Sequence, residues 1–178
     1  MDPSALFGPT TFEVVGTEAV RKATPHFELW DGESPGSNYG GKPIVDFAGK
    51  PAFAELAVLW TLDAAGWDGV WVTHAGGREK HRRGFWGEQR PCEVPSTVLA
   101  FLEGIRTGRG GTSRGTWDLV CWPHGSRAPM PAELSFVECK WRGRDAVKGD
   151  QADWFRAARA AGADLESFLI VEWSLRSR

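Results

Sequence analysis

Leu134-Ser-Phe-Val-Glu-Cys-Lys-Trp141 decides how this chain is read, because its alternation has the period of a strand and its charged residues fall on one side. In an extended chain successive side chains point to opposite faces, so Leu134, Phe136, Glu138 and Lys140 project one way and Ser135, Val137, Cys139 and Trp141 the other. Glu138 and Lys140 therefore stand side by side on a face that the apolar residues turn inward. Upstream, Thr116-Trp-Asp-Leu-Val-Cys-Trp122 alternates likewise, with Asp118, Val120 and Trp122 on one face and Trp117, Leu119 and Cys121 on the other. A hairpin between the two strands brings Asp118 near Glu138. Paired carboxylates at a strand pair suit Mg²⁺, which prefers hard oxygen ligands and keeps several waters.

A helix follows. In Lys148-Gly-Asp-Gln-Ala-Asp-Trp-Phe-Arg-Ala-Ala-Arg-Ala-Ala-Gly162 the residues Gln151, Trp154, Phe155 and Ala158 recur at helical spacing, which makes Gln151 the polar head of a core-facing stripe. Asp150 is the expected N-cap and Gly162 the expected stop. Ser167-Phe-Leu-Ile-Val-Glu-Trp173 then reads as a buried strand parallel to the Glu138 strand, completing a β-α-β unit.

Asp118, Glu138-x-Lys140 and the helical Gln151 resemble the PD-(D/E)XK nuclease superfamily. The order Trp-Asp-Leu, Val-Glu-Cys-Lys, Gln-x-x-Trp and an alanine-rich helix ending in glycine is most similar to its VRR-NUC branch, of which Holliday-junction resolvases are close relatives. The resemblance spans roughly residues 51 to 175, with Glu55 matching a glutamate often found on the first core helix. The Val-Arg-Arg triplet that names the branch is absent, the chain reading Ile170-Val-Glu-Trp173 instead, and Trp117 stands where a proline often precedes the aspartate.

The resemblance implies an α/β fold with a restriction-endonuclease-like core, a central mixed β-sheet flanked by helices. It further implies dependence on Mg²⁺ or Mn²⁺ and hydrolysis of DNA phosphodiesters in repair, recombination or phage and defence settings. Asp118, Glu138, Lys140, Gln151 and Glu55 are then the candidate catalytic residues. Asp118, Glu138 and the backbone carbonyl of Cys139 are the candidate metal ligands. Two readings from other classes stand beside the endonuclease: a non-catalytic nucleic-acid-binding module of the same fold, and a nuclease active only inside a larger assembly. Cleavage of a branched junction would favour a symmetric homodimer, which places two sites on one substrate.

Charge is unevenly spread. The formal net charge is −2, yet residues 1 to 77 hold four Lys/Arg against ten Asp/Glu, whereas residues 78 to 148 hold thirteen against eight. The positive excess lies in the segment that carries the candidate site. Within it, the glycine-rich stretch from Gly76 to Arg90 includes Arg78, Lys80, Arg82 and Arg83, and a second cluster joins Arg106, Arg109 and Arg114. Both read as basic loops suited to tracking phosphates. Arg142 and Lys148, between the Glu-x-Lys strand and the helix, complete the candidate DNA contacts.

The rest of the chain sets limits. Pro51 to Ala65 reads as a helix with proline in its first turn, Trp67 to His74 as a strand, and Pro95 to Arg106 as a helix with an apolar stripe of Val98, Phe101, Leu102 and Ile105. Residues 1–50 read as an arm of unassigned role, with strands at Thr11–Val15 and His26–Trp30 and a Gly/Ser/Pro-rich loop from Asp31 to Lys42. Residues 51–178 read as the nuclease-like core. His26, His74, His81 and His124 show no ligand spacing, which disfavours zinc or histidine-based chemistry. Cys92, Cys121 and Cys139 are expected as free thiols. Without an apolar run of membrane length or a leader pattern at Met1, the expectation is a cytoplasmic protein with no membrane partner.

Overall fold

A computed structural model of the chain describes residues 3–33, 41–75, 78–84 and 93–176, with side chains placed except at 74, 75, 78 and 79. Chain order is β1 (Thr10–Val15), β2 (Glu18–Ala23), β3 (His26–Leu29), β4 (Val45–Phe47), β5 (Lys50–Ala52), α1 (Ala54–Ala64), β6 (Trp67–Ala75), β7 (Arg78–Arg82), α2 (Ser96–Gly108), β8 (Leu119–Pro123), β9 (Ser135–Trp141), α3 (Gly149–Ala160) and β10 (Phe168–Leu175). These form a mixed α/β fold: a central sheet of order β5-β4-β3-β10-β9-β8-β6-β7, flanked by the three helices. β2 also pairs β10, and β1 lies outside β2.

The centre of the sheet follows from the patterns that dictated it. β8 and β9 are antiparallel, with Leu119 opposite Val137 and Val120 opposite Phe136. β10 runs parallel to β9, Ile170 lying opposite Glu138. α3 makes the crossover between that parallel pair, as such a pair requires. Each strand buries both of its faces, so the sheet separates two cores. Val137, Cys139, Leu119, Cys121, Leu169 and Val171 pack with α1, while Phe136, Val120, Phe168 and Ile170 pack with Val98, Leu102 and Ile105 of α2 and with Trp154, Phe155 and Ala158 of α3. α1 is buried around its whole first half, from Ala54 to Leu59. Its outer side is covered by the N-terminal segment, Phe7, Val45 and Ala52 belonging to the same apolar cluster.

Several boundaries differ from the sequence reading. Pro51 lies in β5, at the end of the sheet, where its missing N–H costs no ladder bond, and the helix begins three residues later. β8 starts at Leu119, so Trp117 escapes the strand's alternation: it is buried among the α3-side aromatics, stacked on Phe155 with centroids 6.0 Å apart. The part of the Gly76–Arg90 stretch read as a loop contains β7, paired antiparallel with β6, and residues 85–92 lie outside the described ones. α3 begins at Gly149 after an N-cap at Lys148, which puts Asp150 in the first turn instead of at the cap. The expected stop at Gly162 is there, with φ +104° and an N–H donated to Arg159 O at 3.1 Å. No helix among the described residues is long and apolar enough to cross a membrane.

Candidate active site

Asp118 sits one residue before β8, and its backbone carbonyl accepts a 2.7 Å bond from Val72 N, which ties the strand's start to β6. Its carboxylate Oδ2 accepts from the amide of Cys139 at 2.9 Å, reaching across to β9. Glu138, 1% exposed, and Lys140, 6% exposed, share a face of β9 as the alternation requires. Lys140 Nζ lies 2.8 Å from Glu138 Oε1.

Gln151 joins them from the first turn of α3. Its Oε1 accepts from Lys140 Nζ at 2.9 Å and from the backbone N–H of Lys148 at 2.9 Å, and its Nε2 donates to Glu138 Oε1 at 2.5 Å. One amide therefore caps the helix and binds the acid and the lysine together. The helix start is fixed in turn by Trp117, whose Nε1–H donates to Gln151 O at 3.3 Å, and by Gly115. At Gly115, with φ +78°, a Cβ would lie 2.1 Å from Asp150 O and 2.7 Å from Gln151 N. Only glycine allows the loop this close to the helix end.

Glu55 completes the group from α1. It is buried at 4% exposure and ion-paired with Lys42, which nothing in the chain singles out, since it ends a Gly/Ser/Pro-rich stretch well ahead of the helix. Lys42, Thr73, Thr116, Asp118, Lys148 and Gln151 line a cavity of about 280 Å³. Asp118, Glu138, Lys140, Gln151 and Glu55 are thus brought to one place, the first four expected there from strand and helix spacing and Glu55 from the resemblance.

The electrostatics are those of crowded acids. Burial, reinforced by the charge of Glu55, pushes the Asp118 carboxyl up to about 6, against the opposing pull of Lys42, the Cys139 amide and Lys140. Burial and then the Asp118 charge hold Glu138 well above the usual carboxylate range, despite Lys140. For Lys42, burial works against the charge, but the carboxylates of Glu55 and Asp118 outweigh it and raise the ammonium's pKa. Lys140 and Gln151 both bind Oε1 of Glu138. The other oxygen, Oε2, is buried and meets no N–H donor, alone in that respect among the described side chains, and the neighbouring group that acts on Glu138 from its own kind is the Asp118 carboxyl. Such an oxygen beside a second carboxyl can carry negative charge only at a cost unless a donor or a cation meets it, which is why both acids hold their protons more tightly than usual.

That orphaned oxygen is the feature a divalent cation would fit. Among the described residues no three His, Cys, Asp or Glu side chains form a metal cage of their own. Mg²⁺ does not need one, being held commonly by one or two carboxylates, waters and substrate phosphate oxygens. Burial pushes the Cys139 thiol well up, and that of Cys121 up to about 12, which favours the protonated form of both.

The candidate DNA contacts divide. Lys148 lines the cavity, and Arg109 lies beside it, donating to Arg114 O at 2.6 Å and Asp150 O at 3.3 Å. Others are engaged with acids: Arg83 with Asp63 at 2.6 Å, Arg106 with Glu103 at 2.5 Å, Arg142 with Glu172 at 3.2 Å. Arg82 donates to Thr73 Oγ1 at 3.2 Å, and Lys80 and Arg114 are exposed. The side chain of Arg78 lies outside the described ones. No family model, curated protein or solved structure matches the chain.

Proposed function

We propose that the chain is a metal-dependent DNA nuclease with a restriction-endonuclease-like core, resembling the PD-(D/E)XK superfamily and most like its VRR-NUC branch. The observation that carries this reading is the unpartnered Oε2 of Glu138 beside Asp118, at the point where Lys140 and Gln151 converge. The strand order β6-β8-β9-β10, with α1 ahead of it and α3 between its parallel last pair, supports the fold part of the reading.

Asp118, Glu138 through Oε2 and the Cys139 carbonyl would hold Mg²⁺ or Mn²⁺. When bound, such an ion polarises a phosphoryl oxygen and lowers the pKa of a coordinated water. Lys140, fixed against Glu138, presents its ammonium to the charge that grows on the phosphate. Gln151 offers its amide to orient the attacking water or a phosphate oxygen. Lys148 and the N-terminal N–H groups of α3 attract the phosphate into the cavity. The water oxygen would form the new P–O bond and release its proton to solvent, the bond to the leaving oxygen would break, and that oxygen would take a proton from solvent.

The test is cleavage of labelled duplex, single-stranded, flap and four-way-junction DNA in EDTA, Mg²⁺ or Mn²⁺, with wild type beside Lys140→Ala. Metal-dependent cutting that the variant lacks would support the reading and identify the preferred substrate. A folded wild type that binds the metal but cuts nothing would overturn catalysis and favour the binding module or the partner-dependent assembly.

A further inference from the structure

The segment that carries Lys42 enters the site from outside the strands that build it. Trp30 N donates to Ile44 O at 3.0 Å, and β4 then pairs with β3 and β5, so the chain just after Lys42 is anchored to the sheet. Lys42 itself extends over the N-terminal turn of α1 and ion-pairs with Glu55. Its side chain keeps 40% of its surface exposed, while that of Glu55 keeps 5%. The ammonium thus borders the cavity, in contact with the Glu55 carboxylate and with that of Asp118 among the charges acting on it.

Resting on the nuclease reading above, we propose that Lys42 is a built-in surrogate cation: its ammonium neutralises Glu55 and Asp118 while the site is empty, and a divalent ion must displace it to bind. Three features lead there. The acids are too crowded to stand without positive charge, and Lys140 and Gln151 already serve Glu138. A lysine tethered to the fold is present at a high local concentration, so it competes with an ion in solution without help from a partner. A side chain with 40% of its surface exposed, on a flexible four-carbon stem, can also carry its ammonium toward water. A cation locked deep in the cluster, such as Lys140, could not yield in this way.

The experiment uses the full chain with Mn²⁺ as probe, free Mn²⁺ being read by electron paramagnetic resonance in wild type, Lys42→Met and Lys148→Met. Lys148 lines the same cavity without pairing with Glu55, so its variant measures the general effect of removing a positive charge. Lys42→Met is expected to bind Mn²⁺ about tenfold more tightly than wild type, and Lys148→Met much less than that. Equal or weaker binding by Lys42→Met, or an equal gain in both variants, overturns the proposal while leaving the metal site standing. No Mn²⁺ bound by wild type or either variant overturns the nuclease reading, and the surrogate with it. A second measurement needs no variant to fold: amine acetylation of Lys42 in wild type, followed by mass spectrometry. Its rate is expected to rise severalfold when Mn²⁺ is added, relative to exposed Lys80. A rate that Mn²⁺ leaves unchanged or lowers overturns the displacement.

Discussion

Two sets of charged residues in this protein differ in what surrounds them. At the β8–β9 end, Glu138, Lys140, Gln151 and Asp118 are tied to one another and to backbone amides drawn from different elements, and Glu138 and Lys140 are almost wholly out of water. On the outside, Arg106 pairs with Glu103 one turn away, both more than 40% exposed, and Arg142 with Glu172 on the neighbouring strand. A count along the sequence gives both sets the same weight. Physically they are unlike: buried charges are costly unless matched, so their arrangement is tightly constrained, whereas exposed pairs contribute little and tolerate change.

The sharpest break is Lys140→Ala. It leaves the Glu138 carboxylate buried with one amide for company, and removing one partner of a buried pair costs about 3–5 kcal/mol. Urea unfolding of the metal-free protein is expected to show a loss of that order, together with disappearance of metal-dependent cleavage. Glu138→Gln keeps the shape but leaves the buried Lys140 ammonium without its carboxylate, so it too is expected to cost stability, and as much activity. Equal, small losses in both variants would mean that the inner cluster is no more coupled than the surface pairs.

Next is Gly115→Ala, which touches no charge. The added methyl would meet Asp150 O at 2.1 Å in a left-handed conformation, so the start of α3 must move. A destabilisation of about 2–4 kcal/mol is expected, typical of a forced clash at a special backbone angle. Because Gln151 moves with the helix start, catalysis should fall further than Gly110→Ala lowers it. Gly110 has φ +70° with open space around its Cβ position, so it carries the backbone strain without the clash.

Asp118 allows the comparison to be sharpened by pH. Its carboxyl, raised from the ordinary 3.8 to about 6, binds a proton more tightly in the folded state than in the unfolded chain. The resulting stabilisation is fully present below pH 3.8 and is lost as the pH rises through about 6. In metal-free protein, the melting-temperature advantage of Asp118→Asn over wild type is therefore expected to grow as the pH rises from 5 to 7.5. Mg²⁺ favours the deprotonated acid, so it should narrow that gap above pH 6 by stabilising wild type alone. A pH-independent gap would show that Asp118 titrates as a surface acid does.

Much of the centre was legible because its periods are clean. Leu134 to Trp141 alternates, the helix from Gly149 has a continuous apolar stripe, and the parallel β10 reads as a buried run. Their partners, and the meeting of Asp118, Glu138, Lys140 and Gln151, followed from those patterns. The restriction-endonuclease-like identity of the core was an inference from motif order and stays a proposal. Alternation carried across Thr116–Asp118 places Trp117 on the wrong face, because these residues precede the strand. β7 was hidden by its Arg-Glu-Lys-His-Arg composition between glycines, and β2 by a mixed Glu-Ala-Val-Arg-Lys-Ala pattern with no clear period. Lys42 could not be read at all, since nothing local distinguishes it and its partner lies on a different element. The same holds for Gly115, whose role depends on the helix end that packs against it.

The outermost charges provide the smallest effect and test the other side of the comparison. Arg106 is held by Glu103 through both Nε and Nη2 and by Gly111 O through Nη1, so its guanidinium stabilises the end of α2 before it meets any ligand. Exposure of both partners leaves that pair with little effect on stability, and Arg106→Ala should shift the urea midpoint only slightly. As a DNA contact it must first exchange Glu103 for phosphate, which recovers little net charge interaction. Among the described residues Lys148 is held in no ion pair, although Asp118 and Asp150 line the cavity it shares with Gln151. Fluorescence-anisotropy titrations of labelled DNA at several salt concentrations should therefore show Lys148→Ala lowering the salt slope by about 1 and Arg106→Ala by clearly less. If Arg106→Ala instead lowers the slope as much as Lys148→Ala does, the surface pairs open on contact with DNA, and the basic excess of residues 78 to 148 acts as a field despite its ion pairs.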